Sequence, residues 1–393
     1  MQATEKQISL NGWEETWDRL LAKRAGQETL RILRPMPVGW VDFCSNDFLG
    51  LASLPLPTPL LTELAHVPSG GSGSRLISGN YDAVAELESY AGMLYGAESA
   101  LFFGSGYAAN QTLLTAVSGR GDTILLDENA HASLREGARA SLATAHTFAH
   151  NSVAGLETKL QKLQGGGGNV YVVVESLYSM TGTFAPLAAL AEVALRHGAC
   201  LVVDEAHSTG LLGPAGKGLV AEAGLESEVP IRIMTFGKAV GAQGALVLGS
   251  EALKAMLVNF GRPFIYTTAP LPVVPMLVRH RLAQIAGDDV IQGEAMAVVD
   301  SFYAKWNMAI GEGARVWIAN GAERRAPIVI LKAKGGREVL KAIVMALGQE
   351  KLWTKAILVP TVPEADECIR LTLHSHNTDE QLQKLVQVLS NFA

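Results

Sequence analysis

Residues 201–210 read LVVDEAHSTG. Three apolar residues run straight into an acid, and the acid into a turn of small and polar residues. Continuous apolar residues without alternation mark a strand buried on both faces, as in a parallel sheet covered by helices. Ligands of such sheets sit beyond the carboxyl ends of the strands, which is where Asp204 falls. A carboxylate there is costly unless a positive group meets it.

The same grammar extends in both directions. DTILLD, NVYVVVE, CLVVD, IRIMTF and GALVLG read as buried strands. Between them lie amphipathic helices. In YDAVAELESYAGMLYG, Val84, Leu87, Ala91 and Leu94 share a face, with Asp82 able to cap the start and Gly96 to end it. SVAGLETKLQKL is closed by the glycine run 165–168, and APLAALAEVALRHG has Pro186 at its start and Gly198 after its end. Past RPFIYTTAPLP the helices lengthen, and ECIRLTLHS alternates like a strand with one wet face. The expected fold class is α/β: a mainly parallel central sheet with helices on both faces, plus a smaller C-terminal α+β domain. The expected division is an N-terminal segment over 1–50, a large domain over 51–275 and a small one over 276–393.

Composition narrows the function. The chain has 393 residues, 48% hydrophobic and 18% charged, which describes a compact globular protein. A net charge of −6 without a basic run argues against a nucleic-acid surface. Cys44, Cys200 and Cys368 are far apart with no C-x-x-C pair, so neither a disulfide framework nor a metal site is expected. The polar start is not a signal peptide, and no apolar run is long enough to cross a bilayer. A cytoplasmic protein without a membrane partner is expected. The string D-E-A-H also heads the acidic motif of RNA helicases, but such a motor needs G-x-x-x-x-G-K-[ST] upstream. The nearest string, GPAGKG at 213–218, lacks the Ser/Thr and follows the acidic motif.

Another chemistry fits the string. Further on comes MTFGKAVG, which places Lys238, thirty-four residues after Asp204, just past a strand in an apolar segment. A desolvated lysine has a lowered pKa and can form a Schiff base. A Lys and an Asp at two strand ends suit pyridoxal phosphate: the lysine holds the aldehyde and the acid keeps the ring nitrogen protonated. His207 is placed to meet the ring oxygen. FFGSGYAANQTLL turns at Gly104, Ser105 and Gly106 and starts a helix near Tyr107, a site for phosphate. DENAHASLREG places His131 after a strand, where its ring can stack on the cofactor. Each residue has a plain alternative: Asp204 a helix cap, the histidines surface polar groups, Lys238 a solvated cation, the glycines an ordinary turn. Their joint order along the strand ends favours the cofactor.

FGSGYAAN, ENAHASL, ESLYSMTG, VVDEAHSTG and TFGKAVG together resemble the signature blocks of the α-oxoamine synthases, and the likeness runs from about Leu30 to the C-terminus. That family has the aspartate-aminotransferase-like fold (PLP fold type I) and condenses an amino acid with an acyl thioester, releasing CO2. The resemblance implies Lys238 as Schiff-base lysine and base, Asp204 on the pyridinium, His207 on the ring hydroxyl and His131 over the ring. It implies cofactor contacts from Gly106, Tyr107, Ser179 and Thr235. It places Asn46, His131 and Arg370 on the amino-acid side, with Arg370 gripping the carboxylate, and Arg31 and Thr361 on the acyl side. Thr267 matches a position that reaches the neighbouring subunit's cofactor phosphate, which implies a homodimer with a shared active site. Among the branches, RPFIYTTAPLP and VPTVPEADECIRLTLHSHNT resemble the biotin-pathway members, whose substrates are L-alanine and a pimeloyl thioester. Leu358 departs from the arginine that some of those members carry three residues before the threonine. Pimeloyl-CoA, a pimeloyl carrier protein and another acyl chain therefore all stay open as donors. The alternatives are a sister synthase using glycine or serine, and a non-catalytic binding module of the same fold.

Overall fold

A computed structural model of the chain describes residues 12–393 apart from Glu312 and Ala322. The polar start read as lacking a signal peptide lies largely in residues 1–11, outside the described residues. The centre is a seven-stranded sheet. Its spatial order is Ser99–Phe103, Ala245–Gly249, Ile231–Thr235, Cys200–Asp204, Val170–Glu175, Thr123–Asp127 and Thr144–Phe148. Ala245–Gly249 runs antiparallel to both neighbours and the remaining ladders are parallel.

The apolar runs are buried on both faces, for the reason that the pleat alternates. Val172, Val174, Leu201 and Val203 enter one core; Val173, Val202, Ile231 and Ile233 enter the other. Each such side chain contributes roughly 1.5–3 kcal/mol on burial. Thr144–Phe148 is different: it is an edge strand whose first four residues are exposed, and its polar letters carry little strand signal. Ser99–Phe103, buried throughout, likewise carries no separate strand signal, because its Phe102 and Phe103 lead directly into the glycine turn. Asp82 is the first residue of its helix, Asp82–Tyr95, and not its cap. Tyr81 takes that place, and no side chain caps the end, while Gly96 closes the helix in the left-handed region (φ 60°).

A second sheet of four antiparallel strands follows the order Ala356–Ile357, Cys368–Thr372, Ile328–Ala333 and Val316–Ile318. Helices Gly336–Gln349 and Asp379–Ser390 cover it with Leu340, Ile343, Leu382 and Leu385. Two connections tie this sheet to the rest. Val41–Asp42 pairs in parallel with Leu352–Trp353, and Phe43 is buried in the small sheet's core. Helix Val273–Ala286 packs Val278, Leu282 and Ile285 into the core on one face of the large sheet, beside helix Asp82–Tyr95. Among the described residues no helix is long and apolar enough to cross a membrane.

Glu205, beside Asp204, shows what the second letter of D-E-A-H does here. Its buried carboxylate accepts from the N–H of Leu219 (2.9 Å) and Val220 (2.7 Å) and from Ser176 Oγ (2.9 Å). It anchors the loop that follows the acid. Gly218 is needed there: its φ is +92° and a Cβ would stand 2.6 Å from Glu205 Oε2.

The strand that leads to Lys238 is the fold's most direct link to the site. Ile233→Ala should cost about 2–5 kcal/mol, read as a lower urea midpoint, since Ile233 is fully buried. An unchanged midpoint would contradict the packing described.

Candidate active site

The parallel strands end together, and their last residues form one edge. Glu175 pairs with Asp204 in register, so two acids stand side by side, 2% and 3% exposed. The next strand ends at Thr235, and the chain turns back through Lys238. That turn is closed by Gly241 N–H to Lys238 O (2.8 Å) and Ala242 N–H to Phe236 O (2.8 Å). The cavity above this edge, about 270 Å³, is lined by Asn46, Gly106, Tyr107, His131, Asp204, His207, Thr235 and Lys238 among others. The structure thus brings eight of the residues singled out from sequence to one pocket.

Each has a local reason for its place. Helix Gly106–Val117 is capped by Ser105, whose Oγ accepts from Ala108 N (3.1 Å), and its first residues, Gly106 and Tyr107, line the pocket, where a helix start favours an anion. A Cβ on Gly106 would meet Thr235 Cγ2 at 2.8 Å, so only glycine lets this helix start approach the strand end. Thr235 Oγ bonds Ala206 O at 3.4 Å. His131 caps helix Ala132–Ala140 and accepts from Ser133 N (3.2 Å). Tyr107 OH bonds Glu136.

The electrostatics are those of a desolvated pocket. Burial lowers the Lys238 amine's pKa, with Asp204 and Glu175 opposing. Burial also lowers His131, against Asp204. His207 is driven well below its ordinary value by burial and then by Lys238. Glu175 is pushed up to about 8 by burial and then by Asp204.

Other residues named from sequence do not line this pocket. Arg370 donates from Nε to Ser179 O (2.6 Å), from one terminal nitrogen to Thr372 Oγ1 (3.1 Å) and from the other to Asn46 Oδ1 (2.8 Å). Burial pushes it down to about 10. No carboxylate among the described residues pairs with it, and one N–H on each terminal nitrogen is left over. Arg31 and Thr361, 330 positions apart, meet at 3.3 Å (Nη2 to Oγ1). Leu358 turns its side chain to the small sheet's core. Thr267 is exposed and does not line this pocket.

Among the pocket residues not singled out from sequence are Asn110, Ser133 and Glu175. Asn110 offered a signal, an amide among the buried positions Ala109, Thr112 and Leu113 of its helix. Glu175 ends an apolar strand as Asp204 does.

The pocket's unsatisfied atoms fit a polar ligand. His207 Nδ1, Asn110 Oδ1 and Glu175 Oε1 are buried without partners, which is costly unless something meets them. A phosphorylated pyridine aldehyde suits the polar groups of the pocket. Lys238 offers the amine, Asp204 an acceptor for a ring N–H, His207 a free ring nitrogen, and the helix start an anion site. Among the described residues no His, Cys, Asp or Glu cluster suits a metal.

The chain matches the family model of class I and II aminotransferases over residues 38–389. It is 38% identical over 352 residues to the 8-amino-7-oxononanoate synthase of Marinobacter nauticus, covering 89% of this chain and 86% of that protein. It is 35% identical over 388 residues to the enzyme of that name from an Azoarcus species, covering 95% and 97%. A serine palmitoyltransferase variant solved with pyridoxal phosphate superposes with a TM-score of 0.87 at 25% identity, covering 96% of this chain and 98% of the other.

His207 gives a pH signature. An unfolded histidine takes up a proton below pH 6.5, whereas folded His207 resists until far lower. The unfolded state then binds more protons, so this stability is complete above pH 6.5 and is lost on acidification. The urea midpoint of the native chain should therefore fall more steeply with acid than that of His207→Asn. Parallel curves would contradict the buried neutral imidazole.

Proposed function

The chain belongs to the class I and II aminotransferase family, in its α-oxoamine synthase branch, and we propose that it makes 8-amino-7-oxononanoate from L-alanine and a pimeloyl thioester in biotin biosynthesis. CO2 and the free thiol are the other products. It is a pyridoxal-phosphate-dependent acyltransferase. The observation that carries the substrate reading is Arg370: a largely desolvated guanidinium, fixed on three neutral acceptors and lacking a carboxylate, beside a lysine with a lowered pKa. A buried cation without a counter-ion calls for an anionic ligand, and an amino-acid carboxylate matches a guanidinium fork.

When bound, pyridoxal phosphate supplies an electron-accepting ring that stabilises negative charge at the amino acid's Cα. The chain's residues do the rest. Asp204 would accept the ring N–H, His207 would bond the ring oxygen and His131 would cover the ring. Gly106, Tyr107, Ser179 and Thr235 would hold the cofactor's polar atoms. Arg370, steadied by Asn46, orients the carboxylate so that the Cα–H faces Lys238. The neutral Lys238 amine, favoured by desolvation, removes that proton onto Nζ. Arg31 and Thr361 would bind the acyl thioester, and His131 would polarise the new carbonyl as CO2 leaves.

A second reading, a sister synthase using glycine or serine, is favoured by the likeness to serine palmitoyltransferase. Turnover with alanine, glycine and serine separates the two, together with exchange of Cα–H for solvent deuterium before any acyl donor is added. Exchange with L-alanine supports the first reading; exchange confined to glycine or serine overturns it. Running the turnover with pimeloyl-CoA and with a pimeloyl carrier protein identifies the donor. Arg370→Ala should raise the KM for the amino acid roughly tenfold to a hundredfold, the equivalent of one charge-assisted hydrogen-bond pair. It should leave the thioester KM much less affected, and Arg31→Ala should do the reverse.

We propose further that the working unit is a homodimer in the cytoplasm. Trp13, Trp17, Leu20 and Leu21 are exposed on a helix, Gly12–Gly26, that buries none of its residues, and Thr267 is assigned to the neighbour's phosphate site. If Thr267→Ala is itself severely impaired, mixing it with inactive Lys238→Ala chains should restore some activity in heterodimers. A fully active monomer in sedimentation would contradict the shared site.

A further inference from the structure

His131 and Asp204 face the pocket from different elements, and they are joined through protein as well as through whatever binds between them. Asn110 Nδ2 lies 2.8 Å from Asp204 Oδ2 and 2.9 Å from Ser133 Oγ. An amide nitrogen has two hydrogens, so both are committed. Reversing the amide would set its carbonyl against the Asp204 oxygen, acceptor against acceptor, so the network dictates the orientation. Ser133 Oγ therefore accepts from Asn110, and its own hydrogen is free for His131 Nδ1, 2.8 Å away. The Ser133 N–H reaches the same Nδ1 at 3.2 Å. With two donors directed at it, Nδ1 must present its lone pair, and the ring proton then lies on Nε2. No described residue hydrogen-bonds Nε2, which leaves that N–H to whatever occupies the pocket. Asp204 is fixed by the same bridge on Oδ2 and by Ala206 N–H on Oδ1 (2.9 Å).

We infer that Asn110 and Ser133 are positioning residues for the acyl transfer, holding His131 in the Nε2–H tautomer, as an N–H donor to a substrate oxygen, and holding Asp204 in a fixed orientation beside it. This rests on the reaction assigned above for its consequence in turnover, but the tautomer follows from the hydrogen bonds alone. Both residues are buried, 2% and 1% exposed, and neither touches the reacting atoms in this reading. Their contribution is the pre-orientation of groups that do. The lowered pKa of His131 agrees with a neutral ring.

Isotope-labelled histidine and nitrogen NMR of the cofactor-loaded chain read the tautomer directly, with His131→Gln identifying the signal. A protonated Nε2 and bare Nδ1 at neutral pH are expected. Ser133→Ala removes one of the two donors to Nδ1 and the acceptor of Asn110. It should shift the ring toward a mixture of tautomers and lower kcat by roughly tenfold or more, with the amino-acid KM unchanged. Ser133→Thr keeps the hydroxyl and should retain the native tautomer and most of kcat. A protonated Nδ1 or a cationic ring in the native chain overturns the proposal, as does Ser133→Ala with native tautomer and native kcat. An Nε2–H signal in a chain that does not use alanine would remove the substrate assignment and uphold the tautomer. A protonated Nδ1 in a chain that turns alanine over would do the opposite.

Discussion

An amine and two carboxyls confined above the ends of three neighbouring strands are the constraint on which the site depends. Glu175, Asp204 and Lys238 share one desolvated pocket, and three full charges cannot be held there cheaply. The fold resolves the conflict by giving the acids different surroundings. Asp204 receives N–H donors on both oxygens, while Glu175 keeps one oxygen without a partner and is held up to about 8. The strand pairing of Glu175 opposite Asp204 brings the two acids together. Burial lowers the pKa of Lys238 against the pull of both, which makes it available as a nucleophile and a base.

Around that centre, parts distant in sequence are tied by a few specific bonds. Arg370 comes from the small sheet, Ser179 from the loop after a large-sheet strand, and Asn46 from the N-terminal segment; one guanidinium joins all three. The short pairing of Val41–Asp42 with Leu352–Trp353 and the burial of Phe43 make this possible. His374, fully buried, reinforces the joint by bonding Ser45 O through Nε2 (3.0 Å) next to Asn46. Movement of the small sheet relative to the large one would shift Arg370 and Asn46 together against Lys238.

Much of this was legible in the letters. Strands such as Val170–Glu175 and Cys200–Asp204 announce themselves because a run of valines or leucines buried on both faces has no other economical arrangement. Lys238 and Asp204 stand out because charged residues at the ends of such runs need a reason. Ser99–Phe103 was hidden by its merger with the glycine turn, and Thr144–Phe148 by the polar residues that an exposed edge tolerates. The links between elements were beyond reach: nothing in the spacing of Asn110, Ser133 and Asp204 says that one amide bridges the other two. The meeting of Arg31 with Thr361 likewise depends on how two termini fold back. Such contacts arise from tertiary packing, which local patterns do not encode.

The central claim is that Lys238, and no other lysine, is the reactive amine. Borohydride reduction of the cofactor-loaded protein, followed by peptide mapping, tests it most directly. The account predicts the stable cofactor adduct on the peptide that contains Lys238, and its loss in Lys238→Ala. An adduct on any other lysine, or an undiminished adduct in Lys238→Ala, would contradict it.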